Sequence, residues 1–178
     1  TKDVVVRGQR FYDATRNIYP ADFSVTSGLI GSETLTFGGS NDTFNTMVAD
    51  ESGFTSVSLS NVVLADGSNG GLASNYNLSS SDFQIQKRPL AVQVQRQYNG
   101  TATFSSTDDV FFEFQTMSNP PTNLVGRTGV GLETLSLTGT GTTSGSATNA
   151  GSYNVSGFTL ADGTAASSNY TITGNVRG

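Results

Sequence analysis

The sequence predicts an all-β protein made of two tandem immunoglobulin-like β-sandwich modules, with β-grasp-like modules carrying a short helix as the alternative. Three observations predict it. Short stretches alternate apolar and polar residues at period two, separated by turn residues at spacings of about 8–12 residues, the pattern of a sandwich or barrel. No stretch carries a convincing amphipathic-helix period. The chain also repeats itself: Leu64-Ala65-Asp66-Gly67-Ser68, followed by Asn75-Tyr76-Asn77-Leu78, returns as Leu160-Ala161-Asp162-Gly163-Thr164, followed by Asn169-Tyr170-Thr171-Ile172. A long internal period means modules strung in series.

The duplication extends beyond that stretch. Gln9-Arg10-Phe11-Tyr12-Asp13-Ala14-Thr15 matches Gln95-Arg96-Gln97-Tyr98-Asn99-Gly100-Thr101, and Glu33-Thr34-Leu35 matches Glu133-Thr134-Leu135. The offset between matched residues is 86 at Tyr12/Tyr98, 100 at Glu33/Glu133, 96 at Leu64/Leu160 and 94 at Tyr76/Tyr170. The step from 86 to 100 places about 14 extra residues in the second copy, an insertion near 105–127. Lys87-Arg88-Pro89 punctuates the junction, since proline suits a strand start. The modules are therefore expected at 1–86 and 87–178, an ordinary domain size.

Only 13% of the residues are charged and the net charge is −5, while Ser and Thr make up about a quarter of the chain. Nucleic acid is not an expected partner, because phosphate binding needs clustered Lys and Arg. No apolar run approaches the length of a membrane span, so membrane insertion is not expected. The chain has no Cys and no His. Disulfides, thiolate metal sites and His-activated nucleophiles are thereby excluded. A chain that starts and stops inside a repeat pattern reads as a fragment of a longer protein.

The elements follow in order. Lys2–Arg7 is a β-branched run suited to a pleated surface, and Phe11-Tyr12 leads into a turn at Asp13-Ala14-Thr15. Phe23-Ser24-Val25-Thr26 and Leu35-Thr36-Phe37 alternate as half-buried strands. A turn cluster at Gly38–Asp42 precedes a strand at Phe54–Ser60. Val62-Val63-Leu64 stops at Asp66-Gly67, residues 68–74 read as a loop, and Tyr76–Leu78 and Phe83–Ile85 close the module. In the second module Leu90–Val94 alternates and Asn99-Gly100 is a hairpin-turn signal. Val110–Phe114 is the most apolar stretch of the chain, closed by Asn119-Pro120-Pro121. Thr138–Gly151, all small or polar, reads as a long mobile loop. Leu135–Leu137, Tyr153–Val155 and Phe158–Leu160 repeat the strands of the first module.

These motifs resemble the YDG/MBG repeats of large secreted bacterial haemagglutinin-like adhesins. The family's Tyr-Asp-Gly-Thr is similar to Tyr12–Thr15 and Tyr98–Thr101. Its Leu-Asp pattern leading to Asn-Tyr-Thr-Leu is similar to Leu64–Leu78 and Leu160–Ile172, and its junction to Lys87-Arg88-Pro89-Leu90. Ala14 stands where the family has glycine, so a different first turn is expected there. The resemblance implies a secreted, cell-surface segment of an adhesin or biofilm matrix protein that acts as stalk and presents a binding region, not an enzyme. Its partners would be neighbouring repeats and a host-cell or matrix glycan or protein.

Candidate sites are few. Phe111, Phe112, Phe114 and Met117 find no match in the first module, so they are candidates for an apolar binding patch as well as for an extra strand pair. That patch is the contact expected if the chain is instead a carbohydrate- or protein-binding tip module. Calcium is the candidate cofactor, because hard carboxylate oxygens suit it; Asp42, Asp50, Glu51, Asp108 and Asp109 are its candidate ligands, though none has the spacing of a calcium loop. Asp66 and Asp162 are expected to serve their turns. Glu33 and Glu133 occupy equivalent positions in separate modules and read as turn or strand-edge carboxylates. Tyr12, Tyr76, Tyr98 and Tyr170 recur at matched positions, which fits buried rings with bonded hydroxyls.

Overall fold

The computed structural model describes residues 1–95, 97–105, 111–115, 126, 128–173 and 176–177. It is all-β, with about half of the chain in strands. Among the described residues the helical segments are four 3-10 turns of three residues each. The β-grasp-like expectation is therefore without its helix there, and no helix is long and apolar enough to cross a membrane. The chain divides into two compact units, Thr1–Gln86 and Lys87–Gly178.

In the first unit the strands are β1 (Lys2–Phe11), β2 (Asn17–Ile18), β3 (Phe23–Ser27), β4 (Leu35–Gly39), β5 (Asp42–Thr43), β6 (Thr55–Ser56), β7 (Val62–Asp66) and β8 (Tyr76–Gln86). The principal sheet has four strands in the order β3-β1-β8-β6, and two ribbons, β2-β5 and β4-β7, complete the unit. β1 and β8 run parallel at the sheet centre, from Lys2↔Tyr76 to Phe11↔Gln86. Val4, Val6, Phe23, Phe83 and Ile85 are buried along this sheet. Phe83 is the hub, with ring centroids 5.7 Å from Phe23 and 5.3 Å from Phe44. Gly8 makes room for it: a Cβ there would meet the Phe83 ring at 2.7 Å and the Phe23 ring at 2.8 Å. The strand expected over Phe54–Ser60 is only the two-residue β6, which pairs with β8 at Thr55↔Phe83 and Ser56↔Asp82.

In the second unit the strands are β9 (Arg88–Gln95), β10 (Thr103–Ser105), β11 (Phe111–Gln115), β12 (Leu135–Thr143), β13 (Asn154–Asp162), β14 (Tyr170–Ile172) and β15 (Val176–Arg177). They form one sheet in the order β10-β12-β13-β15-β9-β11, with β14 also pairing β9. The first strand again runs parallel to the last ones, Tyr170↔Arg88 repeating Tyr76↔Lys2.

Pairing register corrects two expectations. β11 lies antiparallel to β9 with Phe112↔Val94 and Phe114↔Val92, as β3 lies on β1 with Phe23↔Gly8 and Val25↔Val6. Phe112 and Phe114 thus have counterparts in the first unit, Phe23 and Val25, and the extra residues fall on either side of a shared strand. The segment expected as a mobile loop from Thr138 is strand as far as Thr143. Its threonines are β-branched, and its Gly141 lies where a Cβ would meet the Phe158 ring at 2.3 Å.

Candidate functional site

Three groups of residues carry the candidate chemistry: a lock that both units share, the carboxylates, and a cleft in the second unit.

The lock explains the repeated motif. Ile30-Gly31-Ser32-Glu33 closes with Glu33 N–H donating to the Ile30 carbonyl at 3.1 Å, and Val130-Gly131-Leu132-Glu133 closes alike at 3.0 Å. Gly31 and Gly131 take positive φ at these turns. Each turn delivers a carboxylate to a buried tyrosine: the Tyr76 hydroxyl donates to Glu33 Oε2 and the Tyr170 hydroxyl to Glu133 Oε2. The Glu33 bond, with burial adding to it, raises the Tyr76 phenol above its ordinary value. Gly67 sits where a Cβ would lie 2.1 Å from the Thr34 carbonyl oxygen, and Gly163 where it would lie 2.4 Å from that of Thr134. Only glycine allows that approach. Asp66 Oδ1 accepts Ala73 N–H at 2.8 Å and Asp162 Oδ1 accepts Ser167 N–H at 2.7 Å, each anchoring the 3-10 turn that leads to the tyrosine. Hydrogen bonds from Ser167 hold the Asp162 carboxyl below its ordinary range.

The opening motif forms one turn twice. Asp13 Oδ1 accepts Thr15 N–H at 2.9 Å and Thr15 Oγ1–H at 2.8 Å, while Asn99 Oδ1 accepts the same two donors of Thr101 at 3.1 and 2.9 Å. Ala14 has φ +61° and Gly100 φ +75°. The expected difference at Ala14 is therefore absent: alanine takes the glycine conformation, and Arg10 ties the turn down through Asp13 at 2.6 Å and the Thr15 carbonyl at 2.9 Å.

Among the described residues, the candidate calcium ligands Asp42, Asp50 and Glu51 do not assemble into a site. Asp42 is buried, and its Oδ2 accepts the N–H groups of Ser60, Asn61 and Val62, each at 2.9 Å. Burial alone would raise this carboxyl, but those donors and the Asn61 amide outweigh it and hold it below its ordinary value. An oxygen filled by three N–H groups is an anion already satisfied, with no lone pair directed at a cation. Asp50 Oδ1 accepts Ser52 N–H at 2.8 Å, closing a local turn beside Glu51, and bonds from Ser52 lower its carboxyl. Among the described residues no three acidic side chains group as a metal site would require. Asp108, Asp109 and Met117 lie outside the described residues. Phe111, Phe112 and Phe114 are placed by their backbone in β11.

The register also explains why Asp42 is not repeated. Ile18↔Asp42 in the first unit corresponds to Phe104↔Gly141 in the second. There Gly141 stands at the register position of Asp42, and a Cβ on it would meet the Phe158 ring at 2.3 Å.

The cleft lies wholly in the second unit, with a volume of about 390 Å³. It opens between the turn before β10 and the chain joining β12 to β13. Tyr98 and Tyr153 line it, together with the amides of Gln93, Gln97, Asn99 and Asn149, and among the described residues no charged side chain does. Its floor includes Phe104 and Thr143, both buried. Tyr98 is 67% exposed, whereas its counterpart Tyr12 is 4% exposed; the expectation of a core role fails for Tyr98 and describes Tyr12, Tyr76 and Tyr170, which are buried. A matched pair of bonds identifies the second difference. Phe44 N–H donates to the Arg16 carbonyl at 2.7 Å, and Thr143 N–H donates to that of Ala102 at 2.9 Å. Thr143 therefore stands in the place of Phe44, a core ring of the first unit. A small residue replaces a large one and a tyrosine turns outward at the cleft.

Comparison with protein-family models, with curated proteins and with solved structures finds no match.

Proposed function

We propose that the chain is a non-catalytic extracellular repeat segment of a bacterial surface adhesin or biofilm matrix protein, acting as stalk and presenting a binding region in cell adhesion. The observation that carries this reading is the reuse of one internal lock in two consecutive compact units, Glu33 on Tyr76 and Glu133 on Tyr170. Units that each bury their own core can be strung in series, as repeat proteins are. A chain with no His and no Cys lacks the usual nucleophile–base pairs. Its resemblance to the YDG/MBG repeats supports a secreted, cell-surface location, with neighbouring repeats of the same chain as partners.

For the architecture, the arrangement supports the β-grasp-like alternative, without its helix, over the immunoglobulin-like one. The first and last strands of the first unit lie side by side and parallel at the centre of a four-stranded sheet, whereas a sandwich needs two sheets packed face to face. The functional reading is tested with an antibody raised against the chain, applied to cells of the source organism. Labelling of intact cells, removed by brief external protease, is the expected result. Labelling that requires permeabilised cells overturns it.

A further inference from the structure

The first unit builds the same turn and the same strand pairings as the second while keeping Tyr12, Ile18 and Phe44 buried. In the second unit Tyr98 stands outside, Thr143 replaces Phe44, and a cleft is left between them. Exposing most of a tyrosine ring gives up burial that the sister unit retains, so the exchange calls for a compensating use.

The lining defines the ligand chemistry. Tyrosine offers a rigid amphipathic face at little conformational cost, and an apolar C–H face of a ligand can lie on it. The amides at Gln93, Gln97 and Asn149 offer both donors and acceptors, and Asn99 adds its Nδ2 donors. Among the described residues no charged side chain lines the cleft to pair an ionic ligand, and a charge without a partner is costly to desolvate. A molecule with apolar ring faces, many hydroxyls and no net charge matches all three conditions. The volume lies in the range of small-molecule sites, about 300–1,000 Å³, with room for one or two sugar rings.

We propose that this cleft is a binding site for a neutral saccharide, with Tyr98 as the stacking platform and the Asn149 amide among the groups that hydrogen-bond the sugar hydroxyls. The proposal rests on the reading of the chain as presenting a binding region and supplies the ligand class for it. Asn99 acts as a positioning residue: its Oδ1 is committed to Thr101 and fixes the turn that carries Tyr98.

The test uses the full chain on a printed array of neutral glucosyl, galactosyl and N-acetylglucosaminyl oligosaccharides, with sialylated and sulfated glycans alongside. Binding to a neutral glycan is expected. It should fall tenfold or more in Tyr98→Ala and at least severalfold in Asn149→Ala, with the melting temperature of both variants unchanged. Three results overturn the proposal: no neutral glycan bound by the folded chain, binding confined to the anionic glycans, or neutral binding that both variants retain. Surface display is scored separately by antibody labelling of intact cells, so failure of the saccharide site and failure of the adhesin reading are distinguished.

Discussion

Ala14→Gly should stabilise the first unit. Ala14 holds φ +61°, and the equivalent residue of the second unit is Gly100 at φ +75°. The Asx turn around them is the same, so glycine in this turn is already realised within the chain. An L-residue with a Cβ in the left-handed region carries about 1–2 kcal/mol of strain. Glycine removes that strain but enlarges the unfolded ensemble, which returns about 0.4–1 kcal/mol. The expected net gain is about 0.5–1 kcal/mol. For a unit of this size it raises the melting temperature by roughly 2–8 °C. The reciprocal change Gly100→Ala should lower the stability of the second unit by a similar amount. The assay is calorimetry of the full chain, with hydrogen exchange of peptides from each unit to assign the transitions. If Ala14→Gly leaves the first unit unchanged or less stable while the second is unaffected, the reasoning about strain in this turn is wrong.

Other outcomes follow from the same contacts. Gly67→Ala and Gly163→Ala each drive a Cβ into a backbone carbonyl at 2.1 or 2.4 Å, and urea titration should find each unit destabilised by about 2 kcal/mol, within the range of overpacking. Phe83→Ala removes the ring at the centre of three aromatics and should weaken the first unit by about 3–5 kcal/mol. Asp42 has a folded pKa below its unfolded value of 3.8. Its contribution is therefore complete above that value and is lost as pH falls below it, through the folded pKa. Asp42→Asn should lower stability at neutral pH by about 2 kcal/mol, from the weakened bonds to three N–H donors. It should also flatten the decline of the first unit as pH falls below 3.8; an unchanged acid limb contradicts the assignment.

What could be read in the sequence was whatever a local backbone demand imposes. Asp66 and Asp162 recur because each carboxylate anchors a 3-10 turn that begins seven or five residues on, a local demand, whereas the glycines beside them must pass the distant carbonyls of Thr34 and Thr134 and show in the sequence only as repeated glycines. All-β class followed from strand alternation for the same reason. Partnerships across the chain were not legible. Glu33 and Tyr76 both recur, but they lie 43 residues apart, and no local pattern pairs them. Phe112 and Phe114 looked unmatched because the shift in offset hides β11, which only register identifies as the counterpart of β3. Asp42 looked like a free hard ligand because its three donors come from residues 60–62. The cleft left one faint trace. Tyr98 matches Tyr12 and so suggests the same role, while the difference that turns it outward, Thr143 for Phe44, lies in a stretch whose strand alignment the sequence obscures.

The claim that the second unit has turned a core position into a binding surface is tested most directly by tyrosine nitration of the native chain, followed residue by residue with peptide mapping. Tyr98 should react rapidly and Tyr12, Tyr76 and Tyr170 should be protected, in keeping with exposures of 67% against 4, 6 and 3%. Equal rates at Tyr12 and Tyr98 would mean that the two units carry this residue alike, and the cleft would lose its basis.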